Sequence, residues 1–468
     1  MKFKQHALPA ILLSLTLVGC GGSSNNNNDE CHDESCFGVS DAGRLMVTDA
    51  DNAAVSVVSL ANGSVMETFS LTNTATALYA SPGYRYGLAL QRSDNGLVEI
   101  IDGGQYEEDH GDHMHPYEIN PSKLNVTIAG AKPTHYEVHD GRGAIFFDGA
   151  EGVVSKVVEF GDAQLAAGTA NSFELASAHH GTAEPLGEHI LVSNKGDSAT
   201  SLPEKVDLFH FHDGDGFELD QTFETTCPGL HGSFTTEEGS VFGCTDGVLV
   251  VKEGDNHAFT ATKIANIAEV GESRIGSFSG FAESHLVAGW AGDNLFAIDL
   301  ESMSMELVDW NGDSTAEKNN AHMAATGEFL LVLDTTGTLH ILSGAEEHEH
   351  EEEVAESVVE AAAAETEQQE HAFEALATVK VLNDMPADVI GHSGQPTQPR
   401  VSIATSPSSD FAYVINATDN EVVVVHLEDA EVERRIGLSF TPAHAAWVGI
   451  ASSEHDHDHE DGEAHNHD

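Results

Sequence analysis

Nine consecutive residues, Glu107-Glu108-Asp109-His110-Gly111-Asp112-His113-Met114-His115, carry three imidazoles and four carboxylates. No hydrophobic core calls for such a segment, and no ordinary turn needs it. Imidazole nitrogen beside carboxylate oxygen is the ligand set that suits zinc and its first-row neighbours. Asp109, His110, Asp112, His113 and His115 are therefore candidate metal ligands. Related chemistry returns at the C-terminus, where His455, His457, His459, His465 and His467 are interleaved mainly with acids. A tail of that kind offers several weak, exchanging sites rather than one defined site, and His348-Glu349-His350 does the same. Ligands must be deprotonated, so uptake by such segments weakens as pH falls through about 6 to 7.

Other histidines recur singly. His135 (PTHYEVHDG), the His179-His180 pair (SAHHG), His231 (GLHG), His322 (NAHMA) and His444 (TPAHAAW) each precede a strongly apolar run. Neutral imidazole is the commonest biological metal ligand. A fold that brings these positions to one axis turns histidines distant in sequence into neighbours. A recurring histidine can equally brace a turn by hydrogen bonds, so each position carries both readings.

The elements that must do the positioning are visible as a repeat. From Arg44 onward, short β-rich runs alternate with Gly, Asp and Asn turns: RLMVTDADNAAVSVVSL from Arg44, ALYASPGYRYGLALQRSDNGLVEIID from Ala77, LHGSFTTEEGSVFGCTDGVLVV from Leu230, AHMAATGEFLLVLDTTGTLHIL from Ala321 and VSIATSPSSDFAYVINATDNEVVVVHL from Val401, with three similar units between. A strand–turn–strand unit recurring roughly every 40 to 50 residues predicts propeller blades stacked in a ring. The expected fold is all-β, a β-propeller of about eight blades. Seven is the rival count, since the spacing is uneven near residues 255–275. The first strand of each blade lines a central channel, so the single histidines fall near its axis. The acidic histidine loop follows the second unit and is expected between the second and third blades, at one channel mouth. There its histidines would share a metal with His135, His180 or His231, or pass it inward.

The ends and one insertion break the pattern. Lys2 and Lys4, then the apolar run Ala7 to Val18, read as an export signal too short to span a membrane comfortably. Leu17-Val18-Gly19-Cys20 looks like a bacterial lipobox, which predicts cleavage after residue 19 and lipid on Cys20. Gly21 after it favours the outer membrane, facing the periplasm. Residues 20–39 form a flexible tether, 40–450 the propeller and 451–468 a disordered tail. Ala and Glu dominate 346–377, which predicts a helical or partly disordered insertion.

The chain of 468 residues has a formal charge of −59. Phosphate is repelled by such an excess of acid, which excludes nucleic acid and anionic membrane surfaces as partners. Apart from Cys20, the cysteines are Cys31, Cys36, Cys227 and Cys244. An even number in an exported chain suggests two disulfides, most simply within each close couple, with three connectivities open. Cys31 and Cys36 alternatively frame a metal loop. No Gly-x-Ser-x-Gly elbow and no Cys-x-x-Cys-His haem motif is present. A metal-dependent propeller hydrolase, lactonase-like, and a non-catalytic scaffold with structural histidines stand as alternatives to a metal carrier. Imidazole suits copper and nickel as well as zinc.

Several motifs stand in order along the chain: ALYASPGYRYGLALQ, the loop EEDHGDH, KPTHYEVHDGRGAIFFDG, AHHG, and CPGLHGS with the following FGCTDGVLV. Together they resemble the AztD-type periplasmic zinc metallochaperones, over roughly residues 44–450. The resemblance implies a propeller, bound zinc, and its transfer by direct contact to the solute-binding protein of a zinc ABC importer, without catalysis. It implies a Cys227–Cys244 disulfide. The matching positions are Asp109, His110, Asp112 and His113 in the loop, with His135, His180 and His231 at the blade starts. The lipobox, the insertion and the tail depart from the family, and a tether implies capture or storage at the outer membrane.

Overall fold

The computed structural model describes residues 42–111, 114–200, 202–254, 257–312, 314–345, 372–390 and 396–451. The export signal, Cys20, Cys31, Cys36, Asp112, His113, most of the 346–377 segment and the tail histidines lie outside the described residues.

Eight four-stranded antiparallel sheets form the body. Their innermost strands are, for blades 1 to 8, Pro442–Val448, Ala77–Ala80, Pro133–His139, Ala183–Leu186, Ser233–Thr236, Ser277–Gly280, Lys318–Met323 and Ile403–Ser406. Blade 1 mixes the two ends of the chain: Pro442–Val448 pairs with Arg44–Asp49, Arg44 lying opposite Val448. That pairing closes the ring. The packing shows the same count independently. Each buried apolar cluster joins two successive blades, and Leu45, Val47, Tyr413, Val424 and Trp447 join blade 8 to blade 1. Eight blades, not seven, close the ring.

Local sequence explains the strands. Middle strands such as Tyr86–Gln91 and Gly239–Cys244 are buried along their whole length, which suits continuous apolar runs sandwiched between neighbouring blades. Outer strands such as Val65–Ser70 and Glu431–Gly437 alternate partly buried with exposed residues, as a half-solvated strand must. The repeated Asp is a turn device. Asp49, Asp299 and Asp334 each accept backbone N–H bonds from residues two to four positions on, at 2.8 to 3.1 Å, the Asx geometry that reverses the chain.

Two expectations are corrected. Residues 375–377 belong to Ala375–Lys380, the outer strand of blade 7, hydrogen-bonded to Thr338–Ser343. Sheet pairing overrides the helical propensity of Ala and Leu there. The acidic histidine segment is not a loop between blades. Gln105–Asp109 and Met114–Glu118 form a two-stranded hairpin inserted within blade 2, between its third strand Leu97–Asp102 and its outer strand Ser122–Ala129. Arg44 holds its base, pairing with Glu118 at 2.8 Å and donating to the carbonyls of Gly103 and Ile119. Tyr106 and Tyr117 stack across it at 5.3 Å, with the Arg85 guanidinium 3.6 Å above Tyr106.

Candidate metal centre

Inner strands all start on one face of the ring, the upper face, and end on the other. His135 is the third residue of its inner strand, His180 lies three residues before blade 4, and His231 two residues before blade 5. The ring stacks three successive blades and so brings the three imidazoles together near the upper face. Their centroids are 5.0, 5.2 and 5.6 Å apart, and one ligand nitrogen from each lies within 4.8 Å of the others.

Each ring is aimed by its own support. A bulge between Pro133 and His135 turns His135 inward. In the His179-His180-Gly181 run, His179 is buried, with Nε2 2.9 Å from the Ser193 carbonyl and its ring edge-on to Phe146. It braces the turn, leaving His180 to face the channel. A Cβ on Gly181 would sit 2.7 Å from Phe146 and 3.1 Å from His179, so glycine is required for that close approach. The His231 loop is tied by the Cys227–Cys244 disulfide and by backbone bonds joining His231 to Gly243 (3.0 Å) and Gly243 to Gly232 (3.1 Å).

The outward nitrogens fix the tautomers. His180 Nδ1 lies 3.0 Å from Asp148 Oδ2, and His231 Nδ1 lies 2.8 Å from the Gly276 carbonyl. An ionised carboxylate and a carbonyl only accept, so both Nδ1 atoms carry the proton and both Nε2 atoms keep a lone pair. Metal-ligating histidines are oriented by such partners. His135 Nε2 lies 3.3 Å from His180 Nε2, the separation, about 3.3 Å, between two nitrogens of a tetrahedral zinc bonded at 2.0–2.1 Å. The donor set fits zinc: three imidazoles supply three of the four ligands of a tetrahedral site.

Electrostatics favour the neutral form of His135 and His231. Burial pushes His135 down to about 4, helped by His180. Burial also takes His231 to about 4, against the pull of the Gly276 carbonyl. For Asp148 burial opposes ionisation, but hydrogen bonds from His180, Arg92 and Thr134 hold its carboxyl below the usual range. Arg92 pairs with it at 2.7 Å.

Below the three histidines runs a cavity of about 830 Å³ lined by Tyr79, Glu137, Glu184, His322, Arg400 and His444 among others. Burial pushes Glu137 and Glu184 up to about 8, the latter also through Glu137. His322 and His444 therefore line the channel as expected, but stand outside the cluster. His322 Nε2 lies 3.3 Å from Thr405 Oγ1, and burial pushes it down to about 4. Asp148, Gly276 and Arg92 were not singled out from sequence. Asp148 closes the apolar run IFFD and reads as one more turn aspartate.

The hairpin lies elsewhere. The third strand of blade 2 ends at Asp102, opposite Tyr86, at the end of the blade where the inner strand finishes. The hairpin therefore leaves the lower face, and does not share a metal with His135, His180 or His231. His110 and His115 stack on it at 5.2 Å. Tyr106 and Glu107 line a hollow with Asp162 and with Ala451, the last described residue. Ala451 thus lies beside the hairpin.

No family model matches the chain. It is 24% identical over 441 residues to a zinc chaperone, AztD, of Citrobacter koseri, covering 91% of each chain. The crystal structure of Citrobacter koseri AztD superposes with a TM-score of 0.68 at 21% identity, covering 88% of this chain and 99% of that one. The apo form of the same protein gives 0.68 at 20% identity, with the same coverage. A dihydro-heme d1 dehydrogenase, NirN, shares the fold at lower likeness, with a TM-score of 0.55, 11% identity, and 90% and 78% of the two chains covered. The resemblance to the AztD family, read first from the motifs, is borne out along nine-tenths of the sequence and in the fold.

Proposed function

We propose that this protein is a zinc carrier. It takes zinc at His135, His180 and His231 and passes it to the solute-binding protein of a zinc importer. The observation that carries the reading is the convergence of three imidazoles, with outer partners that leave Nε2 of His180 and of His231 facing the shared point. Likeness to a zinc chaperone over nine-tenths of the chain supports it. Three protein ligands and an open position suit release as well as capture, since an acceptor can add its own ligand before the first ones leave. Such a site also suits water activation. The carrier reading expects no turnover of lactones or phosphoesters.

The compartment follows from the same reading. A disulfide between Cys227 and Cys244 belongs in an oxidising space, and the export signal and Leu17-Val18-Gly19-Cys20 direct the chain to the periplasm with lipid on Cys20, at the outer membrane. Asp109, His110, Asp112, His113 and His115, with the tail histidines, gather zinc weakly outside the channel site. Copper and nickel compete chemically, so selectivity rests on the site's geometry.

The test is transfer. Chelator-stripped protein is loaded with one equivalent of zinc and mixed with an apo solute-binding protein in the presence of a competing chelator. Zinc should reach the acceptor without appearing on the chelator, and the His180→Ala/His231→Ala variant should lose this. Passage entirely through the chelator pool would defeat the carrier reading.

A further inference from the structure

Blade 4 carries three more imidazoles at its other end. His189 opens its second strand, His189–Asn194, and His210 and His212 close its third, Lys205–His212. The register sets His189 directly opposite His210. Residues two apart on a strand share a sheet face, so His212 joins them. The His189 and His210 rings are 4.4 Å apart and nearly parallel, and those of His210 and His212 are 4.5 Å apart. Phe259 of blade 5 closes one side, 4.9 Å from His189. The rim is acidic: Glu188 Oε2 lies 3.8 Å from His210 Nε2, and Glu253 holds His257 at 2.5 Å.

A His-x-His pair on one strand with a histidine facing it on the next sets three imidazoles side by side on one face of the sheet. Cβ atoms of directly opposed residues lie about 4.5–5.5 Å apart, so only side-chain torsions must change for the lone pairs to converge. Protonated imidazoles this close would repel, whereas a bound cation uses all three neutral nitrogens and is drawn by the carboxylates. We infer that His189, His210 and His212 form a second site for a zinc-class divalent cation, with Glu188 as its oxygen ligand. The inner strand of blade 4 runs from the His180 end to Leu186 before the chain turns back at His189. The two sites therefore lie at opposite ends of the blade and cannot share an ion. The second stands whether or not the channel site carries zinc.

Full-length, chelator-stripped protein is titrated with zinc beside three variants: His189→Ala/His210→Ala, His135→Ala/His180→Ala/His231→Ala, and the combination. The blade 4 variant should bind one zinc fewer than wild type in both backgrounds. In wild-type protein, zinc should protect His189, His210 and His212 from diethyl pyrocarbonate, read by peptide mass, and should do so in the channel variant too. Unchanged stoichiometry on removing His189 and His210, or unaltered modification of the three residues, overturns the site. If the blade 4 variant fails to fold, the modification of wild-type protein decides. Loss in the channel variant alone bears on the carrier reading and leaves this site intact.

Discussion

Replacing Asp148 by Asn tests whether the outer partners of the three histidines matter. The carboxylate accepts from His180 Nδ1 at 3.0 Å and from Arg92 at 2.7 Å. Asparagine keeps the shape and one accepting oxygen but loses the charge. It can also rotate its amide toward His180, which reverses the tautomer and turns a proton into the site. Outer partners of metal-bound histidines are worth about 10- to 100-fold in affinity, or about 1.4 to 2.7 kcal/mol. Arg92 is more than a third exposed, so losing its partner costs the metal-free fold little. The assay is competition for zinc against a chromophoric chelator at pH 7, with thermal melting of the metal-free protein as the control for folding. Expected is a Kd weakened by at least tenfold with a melting temperature near that of wild type. An unchanged Kd in a folded variant would refute the claim that Asp148 sets the tautomer of His180.

Three further outcomes follow from the same structure. His135, His231 and His322 are pushed down to about 4 from 6.5, so the unfolded chain takes up their protons first. Stability is then complete above about pH 6.5 and is lost as pH falls toward 4, each group contributing on the order of 3 kcal/mol. Denaturant midpoints measured from pH 7 to 4.5 should show the fall, and His322→Gln should flatten it. Cys227→Ser/Cys244→Ser opens a loop with a sequence separation of 17, which costs about 3 kcal/mol by chain entropy, and it should weaken zinc binding by freeing the His231 loop. Unchanged affinity after urea-monitored destabilisation would separate the two roles. His110→Ala/His115→Ala should leave the affinity of the tightest zinc unchanged, because the hairpin leaves the lower face. A tenfold loss at that site would return the hairpin to it.

Much of this molecule is legible as pattern. Alternating apolar runs and Asx turns announce strands and their number, because each blade must bury its middle strands against two neighbours. The histidines at the blade starts are legible for the same reason, since the repeat fixes which strand lines the channel. The hairpin is not. Ser122–Ala129 alternates apolar Leu124, Val126 and Ile128 with polar residues as any half-solvated strand does, so its pattern marks a strand without assigning it to blade 2, and the preceding segment reads as a link between blades. Asp148 is hidden among 78 acids, and the carbonyl of Gly276 has no side-chain signature at all. Glycines tell more in hindsight. A Cβ on Gly243 would overlap the Ile275 carbonyl and come within 2.7 Å of the His231 carbonyl, so the glycine of the Phe-Gly-Cys run keeps the His231 loop in place.

The central claim concerns where zinc sits, and anomalous diffraction at the zinc edge locates it directly. Crystals of the full-length protein grown with one equivalent of zinc should show their strongest peak at the point shared by Nε2 of His135, His180 and His231, about 2.0–2.1 Å from each. A strongest peak at the hairpin or elsewhere, with the three histidines empty, would contradict it.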